Sequence, residues 1–180
     1  ELDSRLYELT ILKELQDRFG YSLNVGKIVD IISGSLRQFI DFSAIAYLLV
    51  EPERLFYKCH VEQSVSRTFV DDVKKRMLES VAALTDPETA RRRIEETLTG
   101  AILSEDLGGK IQSFFNIPLA IGDRMAGVLT VASTKGGKFP EKDVTIIYKI
   151  VRQASNAVQK LEEVLAIEQE KVNAMVESLS

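Results

Sequence analysis

The sequence predicts an α+β fold in which amphipathic helices pack on an antiparallel sheet. Three observations carry this. Residues 111–133 (IQSFFNIPLAIGDRMAGVLTVAS) form two apolar arms around Gly122-Asp123, a pair suited to the positive φ of a two-residue hairpin turn. The remaining apolar segments run as two strands, then helices, then a strand leading into this hairpin, an order that argues for a meander with segregated helices. Both ends of the chain carry apolar residues at helical spacing.

In chain order, Leu2, Leu6, Leu9, Leu12 and Leu15, widened by Ile11 and Phe19, predict a helix ending near Gly20. A second helix is expected over residues 25–40, with Val25, Ile28, Val29, Ile32, Leu36, Phe39 and Ile40 on its apolar face and Ser22 or Asn24 as its cap. Residues 43–50 (SAIAYLLV) are apolar throughout and predict an interior strand. After Glu51-Pro52-Glu53, the residues Leu55, Tyr57, Cys59 and Val61 alternate with Phe56, Lys58 and His60, as in a strand with one polar face nearer the sheet edge. Phe69, Val73, Met77, Val81 and Leu84 predict a third helix, capped by Ser66. Thr85-Asp86-Pro87-Glu88 has the composition of a helix start, and a charged surface helix is expected from there to about Leu98. A short strand over residues 101–103 and a loop over 104–109 lead to the hairpin. Its second arm is apolar on both sides and should be covered on both faces. Pro140, Glu141 and Asp143 open a last helix that nothing interrupts. Its residues Ile147, Val151, Ala154, Val158, Leu161, Leu165, Glu168, Val172, Met175 and Leu179 fall on a heptad seam, apolar at every position but Glu168. From about Leu161 onward no sheet remains to be covered, so that part needs a partner helix.

Composition narrows the function classes. The net charge of −4 offers no basic field for nucleic acid and no polybasic membrane signal. No apolar run reaches membrane length. Cys59 is the sole cysteine and His60 the sole histidine, which excludes an internal disulfide and any His- or Cys-rich metal cluster and suits a reducing cytoplasm. The chain begins ELDSRL, without Met or a signal peptide, and is expected to be a piece of a longer cytoplasmic protein.

Ile117-Pro118-Leu119-Ala120-Ile121, the Gly122-Asp123 turn, Ala126-Gly127-Val128-Leu129-Thr130-Val131 and the FPEKD opening of the last helix, which continues as IVRQASNAVQ, resemble the GAF family of sensory modules and its "PL…G-x-L…F-x-x-x-D…A-x-x-A" tail. The likeness covers about residues 24–160; the related PAS fold usually lacks the two-helix entry. The resemblance implies a five- or six-stranded antiparallel sheet with helices on both faces. The terminal helices pack on one face, and the middle helices roof a pocket on the other. It divides the chain into an N-terminal signalling helix (1–20), a GAF domain (21–160) and a coiled-coil linker helix (161–180). It further implies a homodimer through the N- and C-terminal helices, and a downstream PAS or histidine kinase unit of a bacterial two-component system.

Tyr47, Tyr57, Phe69, Phe114 and Asn116 are the candidate pocket residues, because ligand sites mix aromatic walls with a few polar groups; a filled core uses the same residue types. No cofactor is expected. A bilin-attaching cysteine would stand near residues 104–110, where there is none, and Cys59 falls on the apolar face of a strand, as a packing thiol does. Lys135, Phe139 and Asp143 match part of the family's cyclic-nucleotide motif, but Thr134 and Val144 depart from it. The Lys and Asp can instead be read as an ion pair tying the last loop to its helix. A free methionine sulfoxide reductase needs a second thiol. Arg91-Arg92-Arg93 could meet an anion beneath an Asp86 lid, although an exposed charge run is commonly just solvated. The sequence therefore leaves a non-catalytic, ligand-binding sensor and a ligand-free dimer relay as its two main readings.

Overall fold

A computed structural model describes residues 21–103 and 109–179, with side chains from residue 26 onward except at 101 and 103. The N-terminal stripe with its Gly20 end and most of the loop before the hairpin lie outside the described residues. The elements are α1 (Tyr21–Leu36), β1 (Ala44–Val50), β2 (Arg54–Ser66), α2 (Arg67–Leu84), a 3-10 turn (Thr89–Arg91), β3 (Arg93–Leu103), β4 (Ser113–Ile121), β5 (Arg124–Ser133) and α3 (Glu141–Leu179).

The five strands form one sheet in the order β3-β2-β1-β5-β4. Three pairings are antiparallel, as expected. The fourth is not: β2 and β3 run parallel, with Leu55 opposite Ile94 and Cys59 opposite Leu98, so the sheet is mixed. Parallel neighbours need a long crossover, and α2 with the turn after it supplies one.

The second departure has the same origin. The charged segment after Asp86-Pro87 is not a helix to Leu98. It makes one 3-10 turn and then enters β3. Asp86 does cap that turn, its carboxylate accepting from the backbone N–H and the hydroxyl of Thr89. These two bonds hold the Asp86 carboxyl below its usual pKa. Beyond the cap, Ile94, Leu98 and Ile102 satisfy a strand's period as well as a helix's, and they pack on the face beneath α2.

α1 ends about four residues earlier than the sequence predicts, and Ser22 and Asn24 lie within the helix rather than before it. Phe39 falls beyond its end and is exposed, while Ile40 is buried. β2 lies next to the edge, near it as expected, with β3 outside it. The hairpin turns as expected: Gly122 takes φ +61° and is followed directly by Asp123 and β5. β5 is buried from Ala126 to Ser133, on both faces.

Two cores result, one per face. On the first face, α1 (Ile28, Ile32, Leu36) and α3 (Ile147, Val151, Val158) meet Ile45, Leu49, Ile117, Leu129 and Val131 of the sheet. On the second, α2 lays Val70, Val73, Met77 and Val81 over Leu48, Leu55, Cys59 and Val128. Burial along α3 stops at Leu161, and the helix runs on to Leu179 with Leu165, Val172, Met175 and Leu179 exposed. The ion pair expected between Lys135 and Asp143 is not among those of the described residues. The last loop is tied instead by Lys138 Nζ to Asp41 (3.2 Å) and by Ser113, whose hydroxyl donates to the Lys135 carbonyl (2.7 Å) and accepts from the Lys138 amide (3.1 Å).

Candidate functional site

The face under α2 is where a pocket is expected, and Ser66 sets the helix there. Its backbone is extended and its Oγ accepts from the Phe69 amide (3.1 Å), the predicted cap. That capping bond fixes where α2 begins and so aims Val70, Val73, Met77 and Val81 at the sheet. The sheet contributes small side chains to this face as well as large ones: Ala44, Ala46 and Ala132 are all buried in it. α2 thus settles directly on the sheet, and side chains fill the interface.

Four of the five candidate residues share this face, at opposite sides of it. Tyr57 and Phe69 are buried over β2. Phe114 and Asn116 are half-buried on β4. Asn116 is a bridge: its Nδ2 donates to Ser80 Oγ on α2, and its Oδ1 accepts from the buried Thr130 hydroxyl on β5. Phe114 lies under the Arg76 guanidinium, 5.0 Å from its ring centroid. Tyr47 does not join them. It belongs to the opposite core, its hydroxyl beside Gly26 of α1, where burial and the charge of Asp30 raise its pKa.

Tyr57 is the anomaly of this face. Its hydroxyl is buried and has no hydrogen-bond partner among the described residues. The Cys59 thiol lies beside it but does not meet the geometry of a hydrogen bond. Burial raises the Tyr57 pKa, and the charges of Glu96 and Asp71 push the same way. Cys59 is fully buried, and burial pushes its thiol up to about 11, so it is neutral at physiological pH. His60 faces the other core's edge and is held between Thr99 Oγ1 (2.7 Å) and Glu62 (3.0 Å).

A cavity of about 450 Å³ lies on the outer flank of α2, between that helix and the turn at 85–92. Leu78, Ala82, Pro87 and Ala90 make its apolar floor. Charged groups rim it: Asp71, Lys74, Lys75 and Glu79 from α2, and Arg91 from the turn. The arginine run is therefore divided. Arg92 donates to the Glu51 carbonyl, Arg93 pairs with Glu95 (3.0 Å), and Arg91 alone faces the groove. Sequence reasoning singled out the run but missed the groove, because its other wall is the flank of a helix whose apolar face reads as core.

Among the described residues, no group of three or more His, Cys, Asp or Glu side chains could hold a metal ion, and no helix is long and apolar enough to cross a membrane. No family model and no curated protein matches the sequence. Among solved structures, the chain is similar to the GAF domain of an Acinetobacter phosphoenolpyruvate-protein phosphotransferase, at 14% identity and a TM-score of 0.43 over 91% of this chain and 95% of that one. It is also similar to a GAF domain/HD domain protein from Geobacter sulfurreducens, at 14% identity and a TM-score of 0.48 over 84% of this chain and 97% of that one. These likenesses concern the course of the chain and carry nothing about ligand or activity.

Proposed function

We propose that this chain is a GAF-type sensory and dimerisation module of a cytoplasmic signalling protein, without catalysis of its own. In this reading it responds to a small molecule and passes the response along its terminal helices to an output domain. The observation that carries the reading is α3. One helix packs on the sheet as far as Leu161 and then presents Leu165, Val172, Met175 and Leu179 to solvent, in register with its buried positions. A lone helix gains nothing from such a stripe, whereas a parallel second copy buries it. Any shift of the sheet-bound half must move the free half, because no Pro or Gly interrupts the helix. The buried, neutral Cys59 makes a poor nucleophile, which speaks against a thiol-based reductase.

The test is native mass spectrometry of the purified chain and of a Val172→Glu, Met175→Glu variant. The reading expects a dimer that retains a small molecule and a variant that falls to monomer. A wild type that remains monomeric at high concentration refutes the dimer.

The filled interface under α2 favours a second reading, a relay that takes its signal from a neighbouring domain and holds no ligand. A dimer that never carries extra mass and whose melting temperature no metabolite shifts would select it.

A further inference from the structure

α3 carries a second regular pattern on the side away from its seam. The outermost heptad position is held in turn by Lys142, Lys149, Asn156, Glu163, Glu170 and Glu177. All six are exposed. Their charge changes sign once, at Asn156. The ladder is basic along the half that packs on the sheet and acidic beyond Leu161. Arg152, also exposed, adds a cation beside Lys149.

Nothing within one chain accounts for this order. Opposite charges three or four residues apart support a lone helix, but Lys142 and Lys149 have no acid at those spacings and Glu170 has no base. None of these three forms an ion pair among the described residues. The helix macrodipole favours acids early and bases late, yet the last turn holds Glu177 and no base. A second copy laid antiparallel on this face does account for it. With Gln159 of one chain beside the partner's Lys160, Lys142 meets the partner's Glu177 and Lys149 the partner's Glu170, each twice by symmetry. Arg152 then comes midway between the partner's Glu163 and the partner's Glu170. A parallel copy in register would oppose Lys to Lys and Glu to Glu instead. Ala166 and Ala174, next to the ladder, let the two helices approach closely. The folded bodies do not collide, because each sheet packs on the far side of its own helix, against Ile147, Val151 and Val158.

We propose that the outer face of α3 is an interface for a second copy of this chain, antiparallel and held by charge. It needs neither a ligand nor the Leu165–Leu179 seam. Because seam and ladder point in opposite directions, a chain that uses both is joined to a different neighbour on each side. Parallel dimers would then line up in open-ended rows, since neither contact closes the other. The pairs are exposed, so the contact is weak singly and is loosened by salt.

The experiment is sedimentation velocity of the whole chain at about 20 mM and about 0.5 M salt, where screening is weak and strong. It is repeated with Val172→Glu, Met175→Glu, which breaks the seam and leaves the ladder. That variant should still pair at low salt, with a dissociation constant at least about tenfold weaker at high salt. The wild type should form species larger than a dimer at low salt only. Lys142→Glu with Lys149→Glu should abolish the salt-sensitive step, and so should Glu170→Lys with Glu177→Lys. Circular dichroism should not change, since all four positions are exposed. Combining the four substitutions restores complementarity between antiparallel copies, so this chain should pair with itself again. It should not pair with the wild type, because mixing opposes Lys to Lys and Glu to Glu. Association that ignores salt, survives either double reversal, or fails to return in the fourfold exchange overturns the proposal. A chain that pairs through the ladder but forms no seam dimer supports this interface and refutes the parallel dimer of the sensory reading.

Discussion

Asn116→Leu tests whether the Thr130–Asn116–Ser80 bridge holds α2 to the sheet. The substitution keeps the approximate size and removes both hydrogen bonds. Thr130 is 0% exposed, so its hydroxyl cannot turn to water and should lose about 1–3 kcal/mol. Ser80 is half-buried and can be rehydrated, adding roughly 0.5 kcal/mol. The expected total is about 2 kcal/mol, or a fall of about 4–8 °C in melting temperature for a chain of this size. Thr130→Val alone should cost about 1 kcal/mol, because the half-buried Asn116 carbonyl retains access to water. The informative variant is the double one. With Asn116→Leu and Thr130→Val combined, no buried hydroxyl is left unpaired, so the loss should be well below the sum of the two single losses, with a coupling of about 1–2 kcal/mol. Urea unfolding followed by circular dichroism measures all four proteins. A single Asn116→Leu loss under about 0.5 kcal/mol, or strict additivity in the double variant, would refute the bridge.

Three further outcomes are expected. Gly127→Ala should destabilise by about 3 kcal/mol or prevent folding, because the new Cβ would lie 2.2 Å from the Leu48 carbonyl oxygen, and neither β1 nor β5 can retreat inside the sheet; a soluble variant with an unchanged melting temperature would contradict the register. Stability should fall between about pH 9 and pH 11: the folded chain holds the Cys59 proton more tightly than the unfolded one, so this contribution is intact below the ordinary thiol pKa and is lost as the pH rises through the folded value, with a slope of about 1.4 kcal/mol per pH unit. Cys59→Ala should remove the onset of the decline near pH 9, while the raised Tyr47 and Tyr57 add their own fall from about pH 10 upward. If the proposed dimer forms, Glu168→Leu should raise its melting temperature by completing the seam, since Glu168 is exposed and makes only a 3.6 Å contact with Lys171; no change would mean the helices are not paired there.

The legible parts of the fold were those where residue pattern and environment coincide. The hairpin could be read because Gly122-Asp123 permits few alternatives, and β1 and β5 because strands apolar on both sides have nowhere to go but the interior. The same property hid a site residue's position. A strand apolar at every residue has no readable phase, so nothing in SAIAYLLV tells which face Tyr47 takes, and it lies with α1. The segment after Asp86 misleads for a different reason. Its capping signals are real, but they act on a single turn. Ile94 and Leu98 sit four apart, a spacing that helix and strand both allow, and pairing with β2 decides the matter in favour of the strand. The parallel pairing itself depends on where a crossover lands, which no local pattern records. The groove on the flank of α2 was invisible because cavities arise from elements that fail to meet, and sequence patterns describe elements that do.

The uninterrupted α3 has a mechanical consequence. From Leu161, where its hold on the sheet ends, to Leu179 the helix extends about 27 Å at its usual rise per residue. A tilt of about 5° at the sheet, such as a small side-chain rearrangement in a packed core could impose, would sweep its far end through roughly 2 Å, while an axial rotation would carry the Leu165–Leu179 stripe around by the same angle at every turn. In the proposed relay the free half would work as a lever arm with its fulcrum near Leu161. The amplification comes from length alone, so shortening the arm should weaken the output in proportion, whereas a helix-breaking residue placed anywhere along it should uncouple the two ends.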